Sequence, residues 1–187
     1  FAITLLFVSC AERSQPENQT VEESTDVFLI EAHQAFFDNL ASLCGNKFKG
    51  EETYTAEGRD NWQGKALIME VILCTDENIH ISLAVDDDHS RTWMFMAEEG
   101  QLRFRHDHRH DDGTPEEVTL YGGYATNAGN ALVQYFPADD YTCQLIDYAC
   151  NNEWVVMLSD DMSKFSYILS LDGVMRFQAD FDLSHPL

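Results

Sequence analysis

Residues 174–183 have the sequence Val-Met-Arg-Phe-Gln-Ala-Asp-Phe-Asp-Leu, in which apolar and polar side chains alternate. Successive side chains of a β-strand point to opposite faces, so this alternation gives a strand one apolar and one polar face. The apolar face carries Met175, Phe177, Ala179, Phe181 and Leu183. The segment therefore predicts a strand that is buried on one side and solvated on the other.

The same alternation recurs along most of the chain after Gly45, in short segments separated by turn residues such as Asp172-Gly173. Many short strands with close turns indicate an antiparallel barrel or sandwich. We expect an all-β fold with one N-terminal helix, built as an antiparallel up-and-down barrel of about eight to ten strands. Besides the last strand, the predicted strands are 47–56, 65–75, 78–86, 91–97, 101–110, 117–125, 130–136, 153–159 and 164–171.

One helix is predicted before these strands, over residues 27–44. Thr25 or Asp26 is expected to cap its start, and Gly45 gives a stop signal. A second, short helix is expected within 137–150, where the strand pattern breaks. The predicted helix has an apolar stripe at three- and four-residue steps, which indicates core packing. The stripe consists of Leu29, Ala32, Phe36, Leu40 and Leu43.

A leading helix followed by a meander of eight to ten strands resembles the lipocalin-like (calycin) barrels, and this resemblance covers most of residues 27–187. It implies an antiparallel barrel that holds a small ligand. The strings at 106–115, 121–123 and 136–139 are similar to those of a group of uncharacterised secreted bacterial proteins. That second resemblance implies a secreted protein but no particular activity.

The first ten residues form an apolar run that ends at Cys10. The run is too short to span a bilayer but has the length of a signal-peptide hydrophobic region. Its end, Phe7-Val-Ser-Cys10, resembles the lipobox of bacterial lipoproteins, in which the cysteine becomes lipidated. We therefore expect a truncated lipoprotein signal at 1–10, a flexible acidic linker at 11–26 and a single folded domain at 27–187. The predicted location is the bacterial cell envelope, either periplasmic or surface-exposed.

The charge balance limits the classes of partner. Eleven Lys and Arg stand against 33 Asp and Glu, which gives a formal net charge of −22. Such a surface repels phosphate backbones, so nucleic acid is a poor partner. It also opposes docking onto anionic lipid headgroups, so contact with the membrane is expected through the lipid anchor alone.

The cysteine count fits an oxidising compartment. Assigning Cys10 to lipid leaves Cys44, Cys74, Cys143 and Cys150, an even number that allows three disulfide connectivities. We favour Cys143 with Cys150, which closes a short loop, and Cys44 with Cys74. Buried free thiols are the alternative, because cysteine behaves as a small apolar residue.

The segment 101–110 carries the most distinctive chemistry. If this segment is a strand, His106, His108 and His110 lie on the same face as Phe104. The arginines and aspartates of the segment lie on the opposite, charged face, which we expect to be solvated. Imidazole is a common ligand of zinc, copper, nickel and iron, and Glu116 offers an oxygen nearby. These four residues predict a site for a divalent transition metal. The alternative is that the histidines are polar residues where the apolar face meets water.

Other features bear on the site. Two glycines in Tyr121-Gly-Gly-Tyr124 predict a bulge or the close approach of another backbone. Trp62, Trp93 and Trp154 are interpreted as aromatics of the core or of the barrel ends. The residues of 164–171 alternate, so one face of this strand is expected to line any internal cavity.

Three functions remain open on the sequence. The leading hypothesis is a lipid-anchored envelope protein that binds a small, mostly apolar ligand inside the barrel without catalysis. This rests on the fact that small barrels either fill with side chains or hold one ligand. The second is a metal-binding protein or metalloenzyme using the histidine strand. The third is a structural envelope protein with a packed barrel.

Overall fold

A computed structural model describes residues 29–58 and 62–187, and it contains all ten predicted strands. Cys10, the linker at 11–26, and Thr25 and Asp26 as helix caps lie outside these residues. The strands are β1 Lys47–Thr55, β2 Leu67–Cys74, β3 Asn78–Val85, β4 Asp88–Glu98, β5 Gln101–His108, β6 Tyr121–Tyr124, β7 Val133–Pro137, β8 Asn152–Leu158, β9 Lys164–Leu171 and β10 Val174–Asp182. The helices are α1 Glu31–Ala41 and α2 Asp140–Leu145, followed by a 3-10 turn at Asp147–Ala149.

The strands form one antiparallel sheet in the order β6-β5-β4-β3-β2-β1-β10-β9-β8-β7. Sequence neighbours are therefore spatial neighbours, and the first and last strands of the chain pair with each other. Gly50 of β1, for example, stands opposite Phe181 of β10. The sheet curls into a nearly closed up-and-down barrel, which confirms the predicted fold class and favours the barrel over the sandwich.

The seam of the barrel lies between β6 and β7. The Asp139 amide donates to the Gly122 carbonyl at 3.0 Å. A Cβ atom on Gly123 would lie 1.8 Å from the carbonyl oxygen of Pro137, so only glycine permits this approach. This confirms the close backbone approach predicted from the two glycines, and it explains how the barrel can almost close with so short a β6.

Helix α1 covers one end of the barrel. It is shorter than the predicted 27–44, since it begins at Glu31 after Ile30, which makes no side-chain cap. Its inward face buries His33, Phe36, Phe37 and Leu40. Three long-range hydrogen bonds hold it there: Asn39 Nδ2 donates to the Ala131 carbonyl at 2.8 Å, Gln134 Nε2 donates to the Ala32 carbonyl at 3.2 Å, and His33 Nε2 donates to the Thr126 carbonyl at 3.2 Å.

The half of the barrel beneath α1 is filled by aromatic rings. The Phe36 ring of the helix lies 6.2 Å, centroid to centroid, from Phe95 of β4. Phe95 lies 4.8 Å from Phe104 of β5, which in turn lies 5.1 Å from Phe136 of β7. All four side chains have no solvent-exposed surface. This part of the interior is packed by side chains.

Two disulfides are present, in the connectivity that we favoured. Cys44, just after α1, bonds to Cys74 at the end of β2, and Cys143 of α2 bonds to Cys150. The first joins the covering helix to the barrel, and the second closes a local loop. The alternative of buried free thiols is wrong for these four residues.

Several strand boundaries differ from the prediction by one to four residues, and two of these differences lie on either side of the loop between β5 and β6. The strand predicted at 101–110 ends at His108, and the one predicted at 117–125 begins only at Tyr121. Leu120 adopts a left-handed backbone with φ 58°, and this interrupts the strand before β6. Within residues 29–58 and 62–187, neither helix has the length and apolar character needed to cross a bilayer.

Candidate functional site: a cavity at the open barrel mouth

A cavity of about 310 Å³ lies at the end of the barrel opposite α1. It is bounded by the ends of β3, β4, β5 and β6 on one side, by β9 and β10 on the other, and by Trp62 from the β1–β2 connection. Its aromatic lining consists of Trp62, Trp93, Tyr121, Tyr167 and Phe177. The remaining lining residues are Leu83, Arg91, Thr92, His106 and His108.

The aromatic side chains form flat walls. Trp93 and Tyr167 are stacked, with ring centroids 4.6 Å apart and planes 12° from parallel. Trp62 meets Phe177 edge to face at 4.9 Å. The Arg91 guanidinium lies 5.6 Å from the Trp62 ring centroid, within the range of a cation–π contact. Rings held in this way favour a flat, largely apolar occupant.

His106 lies at the inner wall of this cavity and is only 4% exposed. Its Nδ1 donates to the Tyr121 carbonyl at 3.2 Å, and its Nε2 lies 2.9 Å from the Tyr167 hydroxyl. Burial lowers the pKa of His106 to about 3, so the ring is neutral at physiological pH. The imidazole is thus an uncharged, fully hydrogen-bonded part of the wall.

His108 lies nearer the rim on the same face of β5. Its Nε2 forms a hydrogen bond with the Tyr121 hydroxyl at 3.0 Å. Burial lowers the pKa of His108, and the nearby positive charge of Arg91 lowers it further. Arg91 itself forms an ion pair with Asp88. The described lining of the cavity therefore carries polar groups but little net charge.

The register of β5 and β6 explains how Tyr121 meets both histidines. His106 stands directly opposite Tyr121, and their rings are stacked with centroids 4.5 Å apart. A Cβ atom on Gly122, the next residue, would lie 2.0 Å from the Phe104 carbonyl oxygen. The glycine therefore lets β6 approach β5 closely enough to place Tyr121 over the two imidazoles.

The expectation of a solvated charged face on β5 is wrong for its central residues. Arg105 is 2% exposed and Asp107 is 8% exposed. The chain folds back over them: Arg105 pairs with Asp139 at the start of α2, and its guanidinium lies 5.6 Å from the Tyr141 ring. Thr119 Oγ1 donates to Asp107 at 3.1 Å. The alternation along β5 correctly predicts which side chains point outward. It does not reveal that another part of the chain covers these side chains.

The structure separates the predicted metal ligands. His106 and His108 line the mouth cavity, whereas His110 is exposed beyond the end of β5 and lines a different depression of about 390 Å³. Glu116 is a neighbour of His108, since its amide donates to the His108 carbonyl at 3.0 Å. Within residues 29–58 and 62–187, no group of three or more His, Cys, Asp or Glu side chains is placed to hold a metal ion. Metal binding by these residues stays a prediction, which zinc or nickel titration would test.

The sequence pointed to part of this site and missed the rest. The histidines of β5 were predicted to lie at the rim or in the interior, and His106 and His108 do line the cavity. One face of β9, left unspecified, was expected to line it, and the structure shows that this is the face of Tyr167. Tyr121 and Arg91 were not singled out, although both continue the inward face of their strands. Trp62 was correctly interpreted as a barrel-end aromatic, but its position over the mouth follows from a long connection that shows no periodicity.

Comparison of the chain with protein-family models, with curated proteins and with solved structures found no match.

Proposed function

We propose that the protein is a binding protein for one small, neutral, mostly apolar ring compound, which occupies the cavity at the barrel mouth. The observation that carries this proposal is the aromatic-lined cavity of about 310 Å³. Small-molecule sites usually have volumes of about 300–1,000 Å³ and combine apolar walls with a few polar groups. Trp62, Trp93 and Tyr167 supply such walls, and His106 and His108 supply polar groups.

The electrostatics favour a neutral ligand. The net charge of −22 repels anions as they approach the protein. In the described lining, burial keeps His106 and His108 neutral, and Asp88 neutralises Arg91. An anion would therefore find no unbalanced positive charge among these groups, and a cation would meet the positive charge of Arg91 and no carboxylate in the described lining.

Titration with small aromatic compounds tests the proposal. We would use 2-naphthol, 2-methoxynaphthalene and indole, with binding followed by tryptophan fluorescence and calorimetry. Trp62 and Trp93 line the cavity, so an occupant should change their emission. We expect saturable one-to-one binding of at least one compound.

Paired variants locate the binding. Trp62→Ala removes a wall of the cavity and should weaken binding by about tenfold, the equivalent of about 1.4 kcal/mol. Tyr148→Ala removes an aromatic ring that is 79% exposed and lies outside the cavity lining, so it should leave the affinity unchanged. Failure of all three compounds to bind, or equal weakening by both variants, would contradict the proposal.

We also propose that the protein is tethered in the bacterial cell envelope through a lipid on Cys10. The two disulfides support this, because disulfides persist in oxidising compartments outside the cytosol. Cys10→Ala should release the protein from the membrane fraction, and mass spectrometry of the mature protein should find a diacylated cysteine. An unmodified mature N-terminus at another residue would contradict the anchor.

A further inference from the structure

A single side chain of α2 binds both backbone polar groups of Gly122 at the seam of the barrel. The Gly122 amide donates to Thr142 Oγ1 at 2.7 Å, and Thr142 Oγ1 donates to the Gly122 carbonyl at 2.8 Å. A hydroxyl can do this because it donates one hydrogen and also accepts. At this point of β6, a threonine side chain therefore takes the place of a pairing strand.

The hydroxyl of Thr142 is itself held firmly. Thr142 has no exposed surface. Its amide donates to the Asp139 carboxylate at 2.9 Å, and the same carboxylate pairs with the buried Arg105 of β5. The next residue, Cys143, is tied to Cys150 by a disulfide. Thr142 is thus a fixed point outside the sheet, against which β6 is placed.

The residue that precedes Gly122 belongs to the mouth cavity. Tyr121 lines that cavity, its ring is stacked on His106, and its hydroxyl bonds to His108 Nε2 at 3.0 Å. Tyr121 is the first residue of β6, and two glycines follow it. Glycine has the most conformational freedom of all residues, so these two do little to fix the direction of the chain by themselves. The hydrogen bonds that hold Gly122 therefore bear on where the Tyr121 ring lies.

We infer that Thr142 is a positioning residue of the mouth cavity, which fixes Gly122 and thereby holds the Tyr121 ring in the cavity wall. This inference rests on the proposed function and adds to it a residue that lies outside the cavity lining. A wall that is already in place favours binding, because a ligand then does not have to order it.

Two substitutions of Thr142 test the inference with 2-naphthol as the probe. Thr142→Val keeps a similar shape and removes the hydroxyl, so it should weaken binding roughly two- to tenfold, the range expected when a ligand must order one side chain. Thr142→Ser keeps the hydroxyl and should bind as the unaltered protein does. Ser159→Ala is the matched control, since the Ser159 hydroxyl also accepts from backbone amides, those of Ser163 and Lys164, but lies outside the cavity lining.

A second measurement needs no ligand. Burial lowers the pKa of His108, and Tyr121 is one of the residues that contact its ring. If Thr142→Val releases Tyr121, water reaches the imidazole and its pKa should rise toward the ordinary value of about 6.5. Thr142→Ser and Ser159→Ala should leave this pKa unchanged. Titration of the His108 ring protons by NMR measures it at pH values where all four proteins are folded.

Hydrogen exchange on the unaltered protein tests the same contact if Thr142→Val does not fold. The Gly122 amide should exchange slowly, because the buried Thr142 hydroxyl accepts its hydrogen bond. Exchange as fast as that of a solvent-exposed amide would overturn the inference.

The outcomes separate the inference from the function on which it rests. An unchanged His108 pKa in Thr142→Val overturns the positioning role, and so does an equal change in Thr142→Ser or in Ser159→Ala. Unchanged affinity in Thr142→Val also overturns it and leaves the binding function standing. If 2-naphthol and the other compounds do not bind the unaltered protein, the proposed function is contradicted, and the His108 titration alone decides whether Thr142 places Tyr121.

Discussion

The two ends of the barrel differ in what their inward side chains carry. Under α1 most of the interior is filled by phenyl rings, such as Phe36, Phe95 and Phe104, and these have no exposed surface. At the opposite mouth the aromatic side chains are accompanied by imidazole and hydroxyl groups, and a cavity of about 310 Å³ remains between them. One end has the composition of a core, and the other has that of a binding site.

This difference is visible along a single strand, β5. The inward face of β5 passes from Phe104 to His106 and then to His108. Alternation keeps these residues on one face, so the polarity of this strand's inward face rises toward the mouth. A barrel can therefore obtain its stability from one half and its chemistry from the other without an additional domain.

The largest effect is expected from the packed end. Phe36→Ala removes a fully buried ring from the middle of the aromatic cluster and should lower the free energy of unfolding by about 3–5 kcal/mol. Trp62→Ala, at the mouth, removes an edge contact with Phe177 and should cost about 1 kcal/mol. Urea unfolding of both variants measures the difference. Equal losses would show that the mouth is as much a part of the stabilising core as the covered end.

The fold followed from local patterns because most strands of this barrel pair with their neighbours in sequence, the exceptions being the seam between β6 and β7 and the pairing of β1 with β10. The alternation at 164–171 and 174–183 predicted β9 and β10 nearly residue for residue. A meander requires no long-range information about strand order, since consecutive strands are the ones that pair. The face on which His106 and His108 lie followed from the same alternation.

The contacts that define the site were not predictable in the same way. His106 and Tyr167 are separated by 61 positions and meet only because the barrel curls. Arg105 is buried because residues from the start of α2 return over the outside of β5, and nothing in the local pattern of 101–110 indicates such a cover. The sequence therefore predicted which side chains face inward, but not which of them meet.

The next largest effect is a loss of stability at low pH, which we expect to arise from His106 at the mouth. An exposed histidine in the unfolded chain titrates near pH 6.5. Burial lowers the pKa of His106 in the folded protein to about 3. Between these values the unfolded state binds a proton that the folded state does not, so stability falls as the pH drops below about 6.5. At pH 5 the contribution of His106 to this loss should be about 2 kcal/mol.

Two histidine variants separate the contribution of His106 from the titration of other groups. His106→Gln cannot bind the proton, so its free energy of unfolding should fall less steeply between pH 7 and pH 5 than that of the unaltered protein. His110→Gln makes the same substitution at an exposed side chain beyond the end of β5 and serves as the matched control. Urea unfolding at a series of pH values measures the slopes. Parallel curves for all three proteins would show that the mouth tolerates a protonated His106.

The smallest effect concerns the two disulfides, which differ in what they join. Cys44 and Cys74 are 30 positions apart and tie the end of α1 to the barrel, whereas Cys143 and Cys150 are seven positions apart and close a loop around α2. Cross-linking a longer loop removes more entropy from the unfolded chain, and these two loop lengths differ by about 1 kcal/mol in that term. Replacing the first pair by serine should therefore lower the free energy of unfolding by about 1 kcal/mol more than replacing the second. Urea unfolding of the two double variants under oxidising conditions gives the comparison. A larger loss from the Cys143 and Cys150 variant would contradict this expectation. It would mean that fixing α2 over the outside of β5 contributes more to stability than fixing α1 over the barrel end.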